Sequence, residues 1–372
     1  RLDPLSAERA RAMDAGGPWV FSEEALAQAR GAAHERARQA LAAAAGREGY
    51  AAEGEAPVEP ARLEPPSAEE CGRILLFRAQ RLPEVCAACG APSAVCWAAA
   101  VFYRRFFAAR SPAEFDPLLV LLACVHLACK VEEVHEVTLD RVLEAAGLGE
   151  GEGARVSGAE LPLLEAVGFQ LFLEPKPDTA LRMLAEDVRR AVPEDTLTDA
   201  GWCEVVQRAE ATALDLALRT DAALRCPASA LIAAALGAAL GGHAACGEAL
   251  RALLDAGAGG ERQREAARSM LRAAAAEVEG LALLEEVSED SVASALEVQA
   301  LCLRVFERLR KRAAEQHEAH RLERRCRLRE AKVPTPYSNL QRRGAALQAL
   351  DDSDFAIHHP SESVAQDSWE PA

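Results

Sequence analysis

Aromatic residues are scarce in this chain: three Tyr, four Trp and ten Phe make up 5% of its 372 residues. Runs of Val and Ile are few, and no segment alternates apolar and polar residues for long enough to predict a strand. Ala and Leu, both strong helix formers, supply most of the apolar half of the composition. No stretch of 18 or more uncharged apolar residues occurs, so the sequence given holds no membrane-spanning helix. Positive charge is short as well. The 42 Lys and Arg stand against 58 Asp and Glu, a net charge of −16, whereas a protein that embraces nucleic acid needs a concentrated basic face. The first residues carry Asp3, Glu8 and Arg9 and no apolar core segment, so no secretory leader is expected there. What is present is enough apolar residue to bury a sizeable core and enough length for two or three domains.

The usual signatures of catalysis are missing too. Gly147-x-Gly149-x-Gly151-x-Gly153 is Gly-rich, but no strand precedes it and no Gly-Lys-Ser/Thr closes it, so it reads as a loop rather than a phosphate cradle. Nucleophile elbow, paired-His zinc motif and kinase catalytic loop are all absent. The His358–His359 pair lies in a polar tail and reads as solvated. Eleven cysteines are scattered singly, mostly in apolar helical stretches, as buried reduced thiols are. Cys86-x-x-Cys89 has a ligand-like spacing, yet it lacks a second pair and Cys96 alone does not complete a zinc site. No metal, no cofactor and no enzymatic activity are expected.

Helix signals recur along the chain. Ser22 is placed to cap a helix whose first turn holds Glu23 and Glu24, with Phe21 and Leu26 at staple positions, and the Ala-rich stretch runs to about residue 45. Residues 46–66 are rich in Gly, Pro and Glu and read as a linker. Helices are then predicted over 67–89, 93–110, 117–133, 138–146 and 155–168. After Glu174-Pro-Lys-Pro177 the pattern restarts, at 178–191, 199–219, 227–241, 245–255 and 260–279. The third helix of each set opens on a proline, Pro117 or Pro227, and is apolar on nearly every face, as the centre of a bundle is. Two five-helix bundles in tandem therefore account for the pattern. A long helix over 291–332 follows, with Val292, Leu296, Leu303 and Phe306 as an apolar stripe. Within 304–332 eleven Lys and Arg face five Glu. The tail beyond Pro334 reads as disordered.

One polar feature stands apart. Lys130 ends the most apolar helix, and Glu160 lies thirty residues on, in the fifth helix. Each has an ordinary reading, a cation at a helix C-terminus and an acid near a helix N-terminus, worth about 0.3–1 kcal/mol apiece. The sharper reading is a polar hook on an apolar docking face. Phe102-Tyr-Arg-Arg-Phe-Phe107, then Leu127-Ala-Cys-Lys-Val-Glu-Glu133, then Glu160 and Gly168-Phe169-Gln-Leu171 resemble, in order and spacing, the cyclin box. Arg81 matches the arginine of that box's first helix, while Arg104 departs from the pattern by standing where many cyclins have Asp. Trp19-Val-Phe-Ser-Glu-Glu-Ala-Leu26, Leu63-Glu-Pro65, Leu218-Arg-Thr-Asp221 and Cys226-Pro-Ala-Ser229 resemble the cyclin H branch of the family.

The resemblance implies an all-α fold of tandem cyclin boxes flanked by terminal helices. Its divisions are an N-terminal helix and linker (1–66), a first box (67–173), a second box (174–285), a C-terminal helix (286–332) and a disordered tail (333–372). It also implies a regulatory, non-catalytic subunit that activates a cyclin-dependent kinase by holding the kinase's αC helix in place. Lys130 and Glu160 would make the central contact, with Glu133, Arg81 and Phe106 around them. Implied partners are the kinase, a RING-type assembly subunit of the CDK-activating kinase and the TFIIH core, in the nucleus, with neither membrane nor direct nucleic acid. The stretch 304–332 is read either as a contact for the assembly subunit or as a solvated charged helix. Thr335-Pro336 offers a phosphorylation site. Alternatives are another transcriptional cyclin, a cyclin-fold general transcription factor that binds DNA, or a helical adaptor of unrelated fold.

Overall fold

The fold was obtained as a computed structural model, which describes residues 19–45, 63–257 and 260–330. Among these every regular element is helical: α1 (Glu23–Ala45), α2 (Ala68–Ala79), α3 (Leu82–Cys89), α4 (Ser93–Ala109), α5 (Pro117–Val131), α6 (Leu139–Ala145), α7 (Gly153–Ala166), α8 (Pro177–Ala191), α9 (Asp199–Arg219), α10 (Ala222–Arg225), α11 (Ala228–Ala239), α12 (Ala244–Gly257), α13 (Glu261–Leu281) and α14 (Glu289–Glu330), with a 3-10 turn at Glu150–Glu152. This is the all-α fold the composition called for. The tail from 333, with His358, His359 and Thr335, and most of the linker lie outside the described residues.

The described residues up to Leu309 make one unit. In its first half α5 is the central helix, packed on α4 and α7, with α2 and α6 also against it. In the second half α11 holds the same place, packed on α8, α9 and α13. Helix α5 buries most of its residues and α11 the run Leu231–Leu236, since neither carries a polar stripe to turn outward. The two halves meet where α4 packs on α9, and one apolar core runs through both, from Phe102 and Leu121 to Leu216 and Leu231. A further cluster joins α1 and α14 to the first bundle: Ala37 and Leu41 of α1, Ala113, and Cys302, Val305 and Phe306 of α14. Gln299 donates to the Pro112 carbonyl at 2.9 Å, Arg36 to that of Ala109 at 2.8 Å, and Arg73 to that of Ser291. The second unit begins at Arg310. Its described part is the remainder of α14, exposed throughout residues 310–324.

Where the helices begin and end follows local chemistry. Ser22 Oγ accepts from the Ala25 amide at 3.2 Å. Ser67 and Glu70 close a reciprocal capping box on α2, and Asp116 and Thr138 cap α5 and α6. Two expectations need correction, and one short helix was not expected. The single helix over 67–89 is broken at Gln80–Arg81 into α2 and α3. In an unbroken helix Pro83 would offer no amide and would crowd the Ala79 carbonyl, so the chain restarts with Pro83 in the first turn of α3. Pro227 caps α11 rather than opening it, and the one-turn helix α10 was too short to carry a periodic signal.

Candidate docking site

Helix α5 ends by its own chemistry at the residues of interest. Glu133 takes a left-handed conformation (φ 57°), its amide points to the Lys130 carbonyl (3.4 Å), and the Val134 amide reaches the Cys129 carbonyl at 2.8 Å. This is the reciprocal closure of a Schellman turn, built here on a residue other than glycine. It leaves Lys130 in the last helical turn, projecting toward α7. Lys130 Nζ donates to both Glu160 carboxylate oxygens, at 2.6 and 2.8 Å. The pair is open to solvent, with the lysine side chain 47% and the glutamate 27% exposed. Because α7 starts at Gly153, Glu160 sits two turns inside the helix. The helix-dipole reading of Glu160 therefore fails, since that effect fades within the first turn.

Helix α7 and the segment that follows it expose apolar side chains. Leu161, next to Glu160, is 60% exposed, and Phe169 and Phe172 beyond the end of α7 are 64% and 91% exposed. Pro162 interrupts the hydrogen bonding of α7 just after Glu160. One turn before Lys130, His126 is half-buried, and burial first, then the Lys130 charge, lowers its pKa against the opposing pull of Glu160. Glu132 accepts from Lys176 at 2.5 Å, which ties the end of α5 to the segment that enters α8. That hydrogen bond raises the Lys176 pKa.

The remaining predicted residues lie elsewhere. Glu133 is exposed at the turn that ends α5. Arg81 precedes α3 and donates to the Ala146 carbonyl at 3.0 Å; it makes no hydrogen bond or ion pair with Lys130 or Glu160. Phe106 has no exposed surface and stacks edge-on with Phe107 and Phe115, with ring centroids 4.9 and 5.0 Å apart. Its side chain belongs to the core behind the face, so it is withdrawn as a surface contact. Arg104 is also buried: it donates to the Ala217 and Leu218 carbonyls at the end of α9, with Asp221 at 3.8 Å. The basic residue where the resemblance led one to expect Asp is thus a bridge between the two bundles. Residue order gave no hint of this bridge or of Lys176–Glu132, because each pairs positions far apart in sequence.

Cys86, Cys89 and Cys96 are buried as free thiols. The Cys86 thiol is pushed up by its hydrogen bond with Cys96 and by burial, and burial raises that of Cys129 to about 11. Among the described residues no three His, Cys, Asp or Glu side chains gather as a metal site would need, and no helix is long and apolar enough to cross a membrane.

Residues 77–172 match the family described as "Cyclin, N-terminal domain", a stretch that contains α3 to α7 and hence Lys130 and Glu160. Among curated proteins, Cyclin-H1-1 of Arabidopsis thaliana is 28% identical over 167 residues, 42% of this chain and 48% of that one. The RNA polymerase II holoenzyme cyclin-like subunit of Mycosarcoma maydis is 33% identical over 112 residues, 30% and 28% of the two chains. The chain spans about half or less of the length of these relatives. Two solved structures share its fold. A chain of the CAK complex of Chaetomium thermophilum bound to ATP-gamma-S has a TM-score of 0.62 at 19% identity, covering 83% of this chain and 96% of that one. A chain of the yeast TFIIK (Kin28/Ccl1/Tfb3) complex has a TM-score of 0.52 at 18% identity, covering 70% and 96%. Residues 77–172 thus match a cyclin N-terminal domain, the fold is shared with chains of these two complexes, and part of the sequence is similar to Cyclin-H1-1.

Proposed function

We propose that this chain is the regulatory, non-catalytic cyclin of a protein kinase complex. In this reading it activates a cyclin-dependent kinase by binding the kinase's αC helix in its inward position. The carrying observation is the Lys130–Glu160 pair, at the two motif positions the cyclin box assigns to kinase contact. A lone kinase leaves the ion pair that positions ATP unformed. A rigid bundle that binds only the inward αC moves that equilibrium by its differential affinity. The fixed pair between α5 and α7 supplies direction, and Leu161 beside Glu160 supplies an exposed apolar contact.

Likeness to cyclin H, and to chains solved in CAK and TFIIK complexes, supports a place in a CDK-activating kinase. The partners would be a cyclin-dependent kinase, a RING-type assembly subunit and the TFIIH core, in the nucleus. Glu133 and Arg81 remain proposed neighbours of the contact.

The test is affinity for the kinase that co-purifies with the full chain. Docking desolvates the pair, so Lys130→Ala should weaken binding by about 2–5 kcal/mol, largely by stranding Glu160. A charge-swapped double variant, Lys130→Glu with Glu160→Lys, separates two roles. It restores the internal pair, so thermal stability returns to wild type, but kinase binding and activation stay impaired. Wild-type activation by Lys130→Ala would remove the pair from the docking site.

A further inference from the structure

A second polar centre, which includes neither Lys130 nor Glu160, lies in a cavity of about 440 Å³ between α1, α2, α4 and the end of α9. Four arginines line it, Arg30, Arg104, Arg110 and Arg219, together with His34 and a single carboxylate, Asp221. That is a local excess of three positive charges in a chain whose net charge is −16. Arg30 and His34 stand one turn apart on one face of α1.

The bonds already made do not exhaust these groups. Arg30 forks onto Asp221 at 2.6 and 2.7 Å, but its Nε is buried with no partner, as is Nδ1 of His34. Arg104 donates to the Ala217 and Leu218 carbonyls, leaving Nη1 only a 3.8 Å approach to Asp221. Arg219 gives one N–H to the Leu284 carbonyl, and Arg110 has Glu165 at 4.0 Å. A guanidinium has five donors and no acceptor, and buried donors left unpaired carry a free-energy penalty. Such donors are matched by an acceptor with several oxygens and more than one negative charge. Leu75, Leu76 and Phe107 form an apolar wall, and Gly31 and Gly72 leave the mouth open.

The geometry points to a binding site for a phosphate group in this cavity. The apolar wall and the volume suit a phosphate carried on an organic group, as on a phosphorylated threonine; free phosphate is the other source. Calorimetric titration of the full chain at constant ionic strength separates the two, with N-acetyl-phosphothreonine methylamide and inorganic phosphate as probes and chloride as the control.

The expected result is saturable one-to-one binding of the phosphothreonine probe, at least tenfold weaker in Arg110→Gln and in Gly31→Leu and unchanged in Lys130→Ala. A side chain added at Gly31 starts in open space and replaces a helical glycine. Gly31→Leu should therefore melt no lower than wild type, and its loss of binding reports a filled cavity rather than a damaged fold. Inorganic phosphate binding as tightly as the probe, with the same sensitivity to both variants, keeps the site and names free phosphate as its occupant. Absence of saturable binding by either probe, or binding indifferent to both variants, overturns the assignment.

Discussion

At the scale of single residues, His126 makes stability sensitive to acid. Burial, with Lys130 one turn away, depresses its folded pKa below 6.5. A base whose folded pKa is depressed contributes stability that is complete above about pH 6.5. That stability is lost as pH falls toward the folded value, because the unfolded chain takes up the proton first. The melting temperature should drop as pH is lowered from 7 to 5, and His126→Gln should flatten that part of the profile. Asp221 acts in a lower range. Burial raises its carboxyl pKa, but the Arg30 hydrogen bond and the Arg30, Arg104 and Arg225 charges outweigh that and leave it lowered. Its contribution is present above its unfolded pKa and vanishes as pH falls through the folded one. Asp221→Asn should therefore lower the melting temperature at pH 7 and converge with wild type in strong acid.

The helices themselves were largely legible, because their signals are local. A cap such as Ser22, the proline at 117, and unbroken apolar runs act within a few residues of where they stand. Left-handed turns are equally local and can be tested singly. Gly90 ends α3 at φ 76°, where an added Cβ would lie 3.7 Å from the Arg141 guanidinium. Gly90→Ala should destabilise by about 1–2 kcal/mol, mostly through the backbone, read as a shift of the urea midpoint at unchanged slope. The same logic explains the miss at 67–89. Pro83 is compatible with a helix only in its first turn, so it had to start one.

For the whole molecule, α1 and the first part of α14 close the first bundle. Phe306, only 6% exposed, packs with Leu41, Ala113 and Cys302 although these come from three distant parts of the sequence. Phe306→Ala should lower unfolding free energy by about 3–5 kcal/mol, measured by chemical denaturation of the full chain. Kinase binding by the folded fraction should be unaffected, since α5 and α7 keep their contact.

The sequence by itself determined the all-helical class, the repeat around two apolar central helices and the two candidate positions Lys130 and Glu160, because periodicity, capping and motif spacing are properties of neighbours along a chain. The tertiary structure alone decided which side chains meet. It brought Lys130 onto Glu160 across thirty residues, placed Phe106 inside the core, turned Arg104 into a bridge to α9 and gathered four arginines around one cavity. The physical reason is the same in each case. A charge or an aromatic ring acquires its role from burial and partners, and packing between remote helices sets both.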